Sequence, residues 1–367
     1  MGRVIKKVII YGAGYYGRKI LSTLNRYSDI EIAGYIDANK DGEVYGYPIL
    51  NLDNLEKQHM LMPVIITMAD GIQVKKVYYR LKELGFENIY YYLRKDVSFS
   101  HDFFSNEVYK LNDITEKSLI YVEMHLIDYC NLNCQGCTHY SPLFEKKIPD
   151  TQRRVKDVER IAQIFDQIAV FAMMGGEPLL SPSIKEYIVS IRRLLPNTEL
   201  ELITNGLLIP SIDSDVLRCI KENKVTIGIS EYEPTHKIID SILARLNEFE
   251  IDYFVKEYEK KAEFIRPLSI KENSIYPSFC FSAGCINLWE GKIAKCPSVM
   301  YIDKVNEVLH TNLPNEGVID LNEDINAEEL LNRLEQEVPL CKHCVDYRMK
   351  WKQCGKEMKL EYFVADK

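Results

Sequence analysis

Residues 123–143, EMHLIDYCNLNCQGCTHYSPL, decide how this chain is read. An apolar, β-prone run opens the stretch, and Cys130, Cys134 and Cys137 follow it in one short loop. Four thiols would close a metal site. Three leave a coordination position for a ligand from outside the protein, and an open position is where metal sites do chemistry.

The rest of the chain frames that loop. It has 367 residues, 46% of them hydrophobic, enough for two or three domains with cores of their own. Net charge is -8, with Lys and Arg interspersed among the acids, whereas a nucleic-acid partner would call for a basic face. No apolar run reaches membrane-spanning length. The start, MGRVIKKVIIYGAG, has no long apolar segment leading to a small-residue cleavage site. The expectation is a soluble, cytoplasmic protein with no membrane partner. Ten cysteines in a reducing compartment point to metal or redox chemistry rather than structural disulfides. They are also clustered: none in 1–129, three at 130–137, Cys219 alone, and six in 280–354.

Upstream, KVIIYGAGYYGRKILSTL reads as a strand, a glycine turn and an amphipathic helix, with Gly12, Gly14 and Gly17 in the G-x-G-x-x-G spacing. Such a turn lets the backbone approach a ligand closely, and the helix N-terminus behind it can hold a phosphate. EIAGYID follows and ends at Asp37, where a dinucleotide fold places its ribose acid. Further strand and helix patterns complete a short open α/β unit over 1–95, and 96–117 reads as a linker. YGAGYYGR, GYIDANKDG and GYPIL, in that order, resemble the N-terminal domain of bacterial sugar O- and N-acyltransferases. The resemblance implies that Gly12, Gly14, Gly17 and Asp37 face the nucleotide part of a nucleotide-sugar. Tyr15-Tyr16 stand where that family carries Gly-His.

From Ser118 strands alternate with helices: LIYVEMHL, IAVFAMMG, ELELIT, KVTIGIS and IDYFVKEY are the strands. This alternation means a parallel sheet or barrel with its function on loops after the strands. The cysteine loop follows the first strand, GGEP (175–178) the second, TNG (204–206) the third and SEYEP from Ser230 the fourth, so all four share one mouth. C-x3-C-x2-C followed by GGEP resembles the radical S-adenosylmethionine (SAM) enzymes over 118–275. The resemblance implies a [4Fe–4S] cluster on Cys130, Cys134 and Cys137, whose fourth iron chelates SAM. It also implies reductive cleavage of SAM to a 5′-deoxyadenosyl radical, with flavodoxin or ferredoxin as electron donor. By the same likeness Gly175, Gly176 and Glu177 contact the SAM amino group, and Thr204, Asn205 and Ser230 the ribose or carboxylate. Gly136 replaces an aromatic residue before the third cysteine, so Tyr140 is a candidate to cover the adenine. The competing reading of the three thiols is a zinc site completed by His139. Cys219 lies on a helical period and reads as core.

Downstream, Cys280-x10-Gly291-x4-Cys296, followed by Cys341-x2-Cys344, resembles the auxiliary-cluster extensions called SPASM and Twitch. That implies one auxiliary [4Fe–4S] cluster on Cys280, Cys296, Cys341 and Cys344, with Cys285 and Cys354 as possible substitutes; a zinc ribbon is the alternative. The fold class expected is α/β. A Rossmann-like open sheet precedes a partial (β/α)6 radical SAM barrel, and a small cysteine-rich Twitch-like domain over 276–367 follows it. The function expected is hydrogen abstraction from a sugar or nucleotide-sugar, of dehydrogenation or epimerisation type, with no catalytic side chain assigned. The rivals are a peptide-modifying radical SAM enzyme and an iron–sulfur or zinc binding protein with an inactive barrel.

Overall fold

The computed structural model describes residues 6–68, 70–93, 104, 108–111, 114–256, 263–273, 280 and 284–365. The chain forms two compact units, 1–115 and 116–367.

In the first unit, strands β1 (Lys6–Tyr11), β2 (Ile30–Ile36), β5 (Val64–Ile66) and β6 (Ile89–Tyr92) lie parallel in the order β2-β1-β5-β6. The short strands β3 (Glu43–Val44) and β4 (Tyr47–Pro48) make a separate hairpin. Helix α1 (Tyr15–Leu24) follows the glycine turn, α2 (Lys57–Met60) is a single turn, and α3 (Gly71–Glu83) returns the chain to β6. Asp70 starts α3 by accepting from the Ile72 and Gln73 amides, two of the donors a helix start leaves unpaired. Part of the expected 96–117 linker belongs to this sheet. β7 (Val108–Lys110) pairs antiparallel with β6, because Val108 can bury itself against the core of Val8, Ile10 and Ile65. Residues 94–103 lie outside the described residues.

In the second unit, β8 (Ser118–Ile127), β9 (Gln167–Gly175), β10 (Glu199–Thr204), β11 (Val225–Ser230) and β12 (Tyr253–Lys256) run parallel and consecutive. Helices α4 (Thr151–Ile164), α5 (Ile184–Leu194), α6 (Ser214–Glu222), the single turn α7 (Glu233–His236) and α8 (Ile239–Glu248) make the crossovers. Asp150 and Asp213 cap α4 and α6 with their carboxylates. Val155, Val158, Ile161 and Ile164 recur on one face of α4 and enter a core with Leu119, Val122, Met124 and Leu126 of β8. Cys219 is in that core, as its helical period predicts. The next strand, β13 (Glu263–Ser269), leaves this sheet.

β14 (Asn287–Trp289) pairs in parallel on the free side of β8, so six parallel strands form an open arc. The hairpin expected at Glu290-Gly291 is present. Both residues have positive φ, and β14 turns into β15 (Lys292–Ala294), which pairs with β16 (Ile319–Asp320). Helices α9 (Pro297–Leu309) and α10 (Ala327–Glu335) follow, and β17 (Cys344–Lys350) and β18 (Val364–Ala365) sandwich β13 in a second sheet. The cysteine-rich C-terminal region thus extends the sheet of the parallel strands within one unit. Among the described residues no helix is long and apolar enough to cross a membrane.

A candidate iron–sulfur centre at the strand ends

The three cysteines leave β8 on a loop whose backbone donors turn towards the sulfurs. The Leu132 amide donates to Cys130 Sγ at 3.4 Å, and the Asn133 amide also reaches that sulfur. Cys137 Sγ takes the amides of His139, Tyr140 and Ser141, where the chain enters a 3₁₀ turn at Ser141–Leu143. Cys134 Sγ accepts from the indole N–H of Trp351 at 3.1 Å. Burial pushes the Cys130 thiol up to about 12, and raises Cys134 and Cys137 as well. Two of the thiols are raised further by neighbouring ones: Cys130 by Cys137, and Cys134 by Cys137 and Cys130. Buried thiols of this kind stay protonated at neutral pH unless a cation takes the proton's place.

Two neighbouring loops are tied onto this one. GGEP passes under it so closely that side chains have no room. A Cβ on Gly176 would lie 1.8 Å from the Tyr129 carbonyl oxygen, and one on Gly175 2.1 Å from that of Ile127. Instead the Gly176 and Glu177 amides donate to Ile127 and Tyr129 at 2.8 and 3.1 Å. The Glu177 carboxylate, expected at the SAM amino group, turns into the protein and is fully buried. It accepts from Leu179 N at 3.1 Å, Thr204 Oγ1 at 2.6 Å and Asn205 N at 2.9 Å. Burial outweighs those donors and pushes this carboxyl up to about 7. Asn205 then closes the triangle, its side-chain amide reaching Asn131 Oδ1 at 2.7 Å and Cys130 Sγ at 3.7 Å. Gly175, Gly176, Glu177, Thr204 and Asn205 therefore stand together beside the cysteine loop. Ser230 ends β11 and is half-buried, accepting the Tyr232 amide at 3.0 Å.

Tyr140 does not offer a free face. It is fully buried, bonds Ser298 Oγ at 3.0 Å and packs on Phe363. The aromatic rings beside the cysteines are Tyr232, whose hydroxyl is raised by burial and then by Cys134, Cys137 and Cys130, and Trp351, stacked on it at 6.4 Å. His139 is engaged away from the thiols: its Nδ1 meets His125 Nε2 at 2.8 Å, and its Nε2 faces Glu123 Oε1 at 3.5 Å.

With this geometry established, comparison with known proteins places the middle of the chain. Residues 124–250 match the model of the radical SAM superfamily. This segment is a radical SAM domain. Residues 7–80 match the PglD N-terminal domain. Among curated proteins, GTP 3',8-cyclase of Alkaliphilus metalliredigens is 26% identical over 126 residues, 34% of this chain and 39% of that protein. The same enzyme of Microcystis aeruginosa is 28% identical over 117 residues, 31% and 35% of the two chains. The chain thus spans well under half the length of these curated relatives. Among solved structures, BtrN in complex with AdoMet and 2-DOIA aligns over 62% of this chain and 92% of its own, at 13% identity and a TM-score of 0.39. Native anSMEcpe with bound AdoMet and Cp18Cys peptide aligns over 37% and 42%, at 20% identity and a TM-score of 0.30.

The cofactors of a radical SAM domain are a [4Fe–4S] cluster and SAM. The loop's chemistry fits the cluster: one buried and two half-buried cysteines with N–H donors aimed at their sulfurs, within electrostatic reach of one another. Among the described residues no three His, Cys, Asp or Glu side chains converge as ligands of one metal ion. A four-iron cluster does not ask for that, since its thiolates bind different irons.

A second cysteine group lies in the C-terminal part of the same unit. Cys296 precedes α9, Cys341 is in a 3₁₀ turn, and Cys344 opens β17. Burial pushes Cys296 and Cys344 up to about 12; Cys280 and Cys341 then raise both, and Cys296 also raises Cys344. Cys354 stands elsewhere. Its amide donates to Asn133 O on the first loop at 2.7 Å, and its electrostatic neighbours are Cys137 and Cys134. Its place in the sequence, ten residues after Cys344, gave no sign of this. Cys285 precedes β14, where its carbonyl accepts from Asn287 Nδ2 at 2.8 Å.

β8 and the residue after it carry a largely buried polar chain that no motif announced. Asp128 Oδ1 meets His125 Nδ1 at 3.1 Å, and Asp128 also takes Arg154 Nη2 at 2.7 Å and Trp289 Nε1 at 3.0 Å. With His125 Nδ1–H donating to the Asp128 carboxylate, His125 Nε2 accepts from His139 Nδ1–H. His139 Nε2 then faces Glu123 Oε1 at 3.5 Å. Glu123 is held by Tyr121 at 3.0 Å and Asn287 at 2.9 Å.

In the first unit, Asp37 clamps the glycine turn, with Oδ2 accepting from Ala13 N at 2.7 Å and Oδ1 from Asn39 N at 2.9 Å. Gly17 lets α1 cross the turn, since a Cβ there would lie 2.0 Å from the Gly12 oxygen, whereas Gly14 faces open space.

Proposed function

We propose that this chain is a radical SAM enzyme acting on a sugar or nucleotide-sugar, by dehydrogenation or epimerisation. Cys130, Cys134 and Cys137 hold the SAM-binding cluster, and Cys280, Cys296, Cys341 and Cys344 an auxiliary one. When bound, the cluster and SAM supply a 5′-deoxyadenosyl radical that takes a hydrogen atom from the substrate. The observation that carries the chemistry is the tie between three loops: Glu177 joins the GGEP loop to Thr204 and Asn205, and Asn205 joins both to Asn131 and Cys130.

The residues of the chain then have distinct duties. Glu177 and Asn205 fix the spacing of the loops on which SAM would lie. Tyr232 and Trp351 wall one side and exclude water. The contacts of His139 with His125 and Glu123 fix its ring beside the cysteine loop. The substrate class is supported by the first unit. Its glycine turn, its helix N-terminus and the open space at Gly14 suit a diphosphate. The curated relatives carry the name of an enzyme of GTP, also a nucleotide. A small flavodoxin- or ferredoxin-type protein would deliver the electron, in the cytoplasm.

The test is anaerobic reconstitution of the full chain, reduction, and a screen of uridine, thymidine, guanosine and cytidine diphosphate sugars for stimulated 5′-deoxyadenosine formation. Stimulation by one of them, with a product altered by loss of hydrogen or by inversion, supports the reading. SAM cleavage that only peptides stimulate would replace it with the peptide-modifying one.

A further inference from the structure

We propose that the indole N–H of Trp351 sets the reduction potential of the cluster on Cys130, Cys134 and Cys137, making it easier to reduce. This rests on the reading of those three cysteines as ligands. Trp351 Nε1 lies 3.1 Å from Cys134 Sγ, and an indole nitrogen can only donate. Reduction adds one electron, and the added negative charge spreads onto the ligand sulfurs. A donor on a sulfur therefore stabilises the reduced state more than the oxidised one. Hydrogen bonds to the sulfurs are among the levers by which a protein sets such potentials.

This donor differs in origin from the others. Cys130 and Cys137 receive chiefly amides of their own loop, with the Ser141 hydroxyl on Cys137 and the Asn205 amide reaching Cys130 only at 3.7 Å. Trp351 comes from 217 residues downstream and is pinned there. The Gln135 amide donates to Lys352 O at 2.8 Å, the Cys354 amide to Asn133 O at 2.7 Å, and Gln353 Nε2 to Leu132 O at 3.0 Å. Tyr232, itself against Phe264, stacks on the indole with an interplanar angle of 22°. In the orientation that these contacts hold, the indole N–H points at sulfur. Phenylalanine at 351 would keep the stacking and remove the donor alone.

The experiment compares the reconstituted full chain with Trp351→Phe and Trp351→His. Redox titrations are followed by electron paramagnetic resonance, on the signal that changes when SAM is added, which separates this cluster from other iron. Trp351→Phe is expected to keep its iron but to have a more negative potential, and Trp351→His, which offers a ring N–H, to recover part of the shift. Equal potentials in all three proteins overturn the proposal. A second measurement needs no variant. The chain has two tryptophans, and Trp289 donates to Asp128. With ¹⁵N-indole label in the native chain, the reduced cluster is expected to show a nitrogen coupling and an exchangeable proton coupling. Their absence overturns the proposal even if Trp351→Phe fails to fold. If no signal responds to SAM in the native chain, the ligand assignment itself falls, and the proposal with it.

Discussion

His125 is fully buried on β8, and burial pushes its imidazole down to about 4 against the pull of Asp128. Between there and the ordinary value of 6.5, the unfolded chain binds a proton that the folded chain refuses. Stability on this account falls as pH drops from 6.5 towards 4, by up to about 3 kcal/mol for a shift of this size. Glu177 works the other way. Its carboxyl is raised to about 7, so the folded chain holds a proton that the unfolded chain has lost, and stability falls as pH rises from 4.5 to 7. The net slope mixes both, so the informative quantity is a difference. Denaturant midpoints of native protein and His125→Gln, measured from pH 4 to 7, are expected to converge towards the acid end. Parallel curves would show that His125 is charged in the fold or free of coupling to it.

The loops that leave β8, β9 and β10 act together because their backbones touch. Gly176→Ala puts a methyl group 1.8 Å from the Tyr129 oxygen, which only a displacement of the cysteine loop relieves. The expected result is loss of about half of the roughly eight irons that two four-iron clusters would hold, with 5′-deoxyadenosine formation abolished and the C-terminal iron kept. Iron analysis and SAM turnover read it together. The position of Cys354 gives a second comparison. Cys344→Ala is expected to remove the other half of the iron. Cys354→Ala is expected to leave the C-terminal cluster intact, because Cys354 lies against Asn133 and its electrostatic neighbours are Cys134 and Cys137. Equal iron loss in both variants would mean that the C-terminal ligand set needs redrawing.

At the scale of the molecule, the proposed nucleotide binding and the proposed radical chemistry would fall on different units, 1–115 and 116–367. Their separation can be tested at Gly14, where a Cβ meets nothing within 4 Å and φ is -85°. Gly14→Val is therefore expected to leave thermal stability and iron content unchanged while filling the space a diphosphate would enter. Affinity for the nucleotide-sugar found in the screen, read by calorimetry on the full chain, is expected to drop at least tenfold, about 1.4 kcal/mol. Unchanged affinity would make the glycine turn a scaffold. Asp37→Ala is a poorer probe, since removing the carboxylate also releases Ala13 N.

The sequence determined the alternation of strands and helices over 118–256, the hairpin at Gly291 and the common mouth of the four motif loops. These follow from apolar period and turn chemistry, which act over a few residues. It also groups Cys130, Cys134 and Cys137 by spacing. What only the tertiary structure decided depends on contacts between distant parts of the chain. Tyr140, three residues after the ligand candidate Cys137, is core because Ser298 and Phe363 meet it there. The Glu177 carboxylate turns inward because Thr204 and Asn205 present donors to it. Trp351 and Cys354 reach the first cysteine loop because the backbone after β17 finds hydrogen-bond partners along residues 132–136. A local pattern records which residues want burial or a turn, but not which distant group will satisfy a buried donor. That is settled only when the packed chain leaves each donor one acceptor within reach.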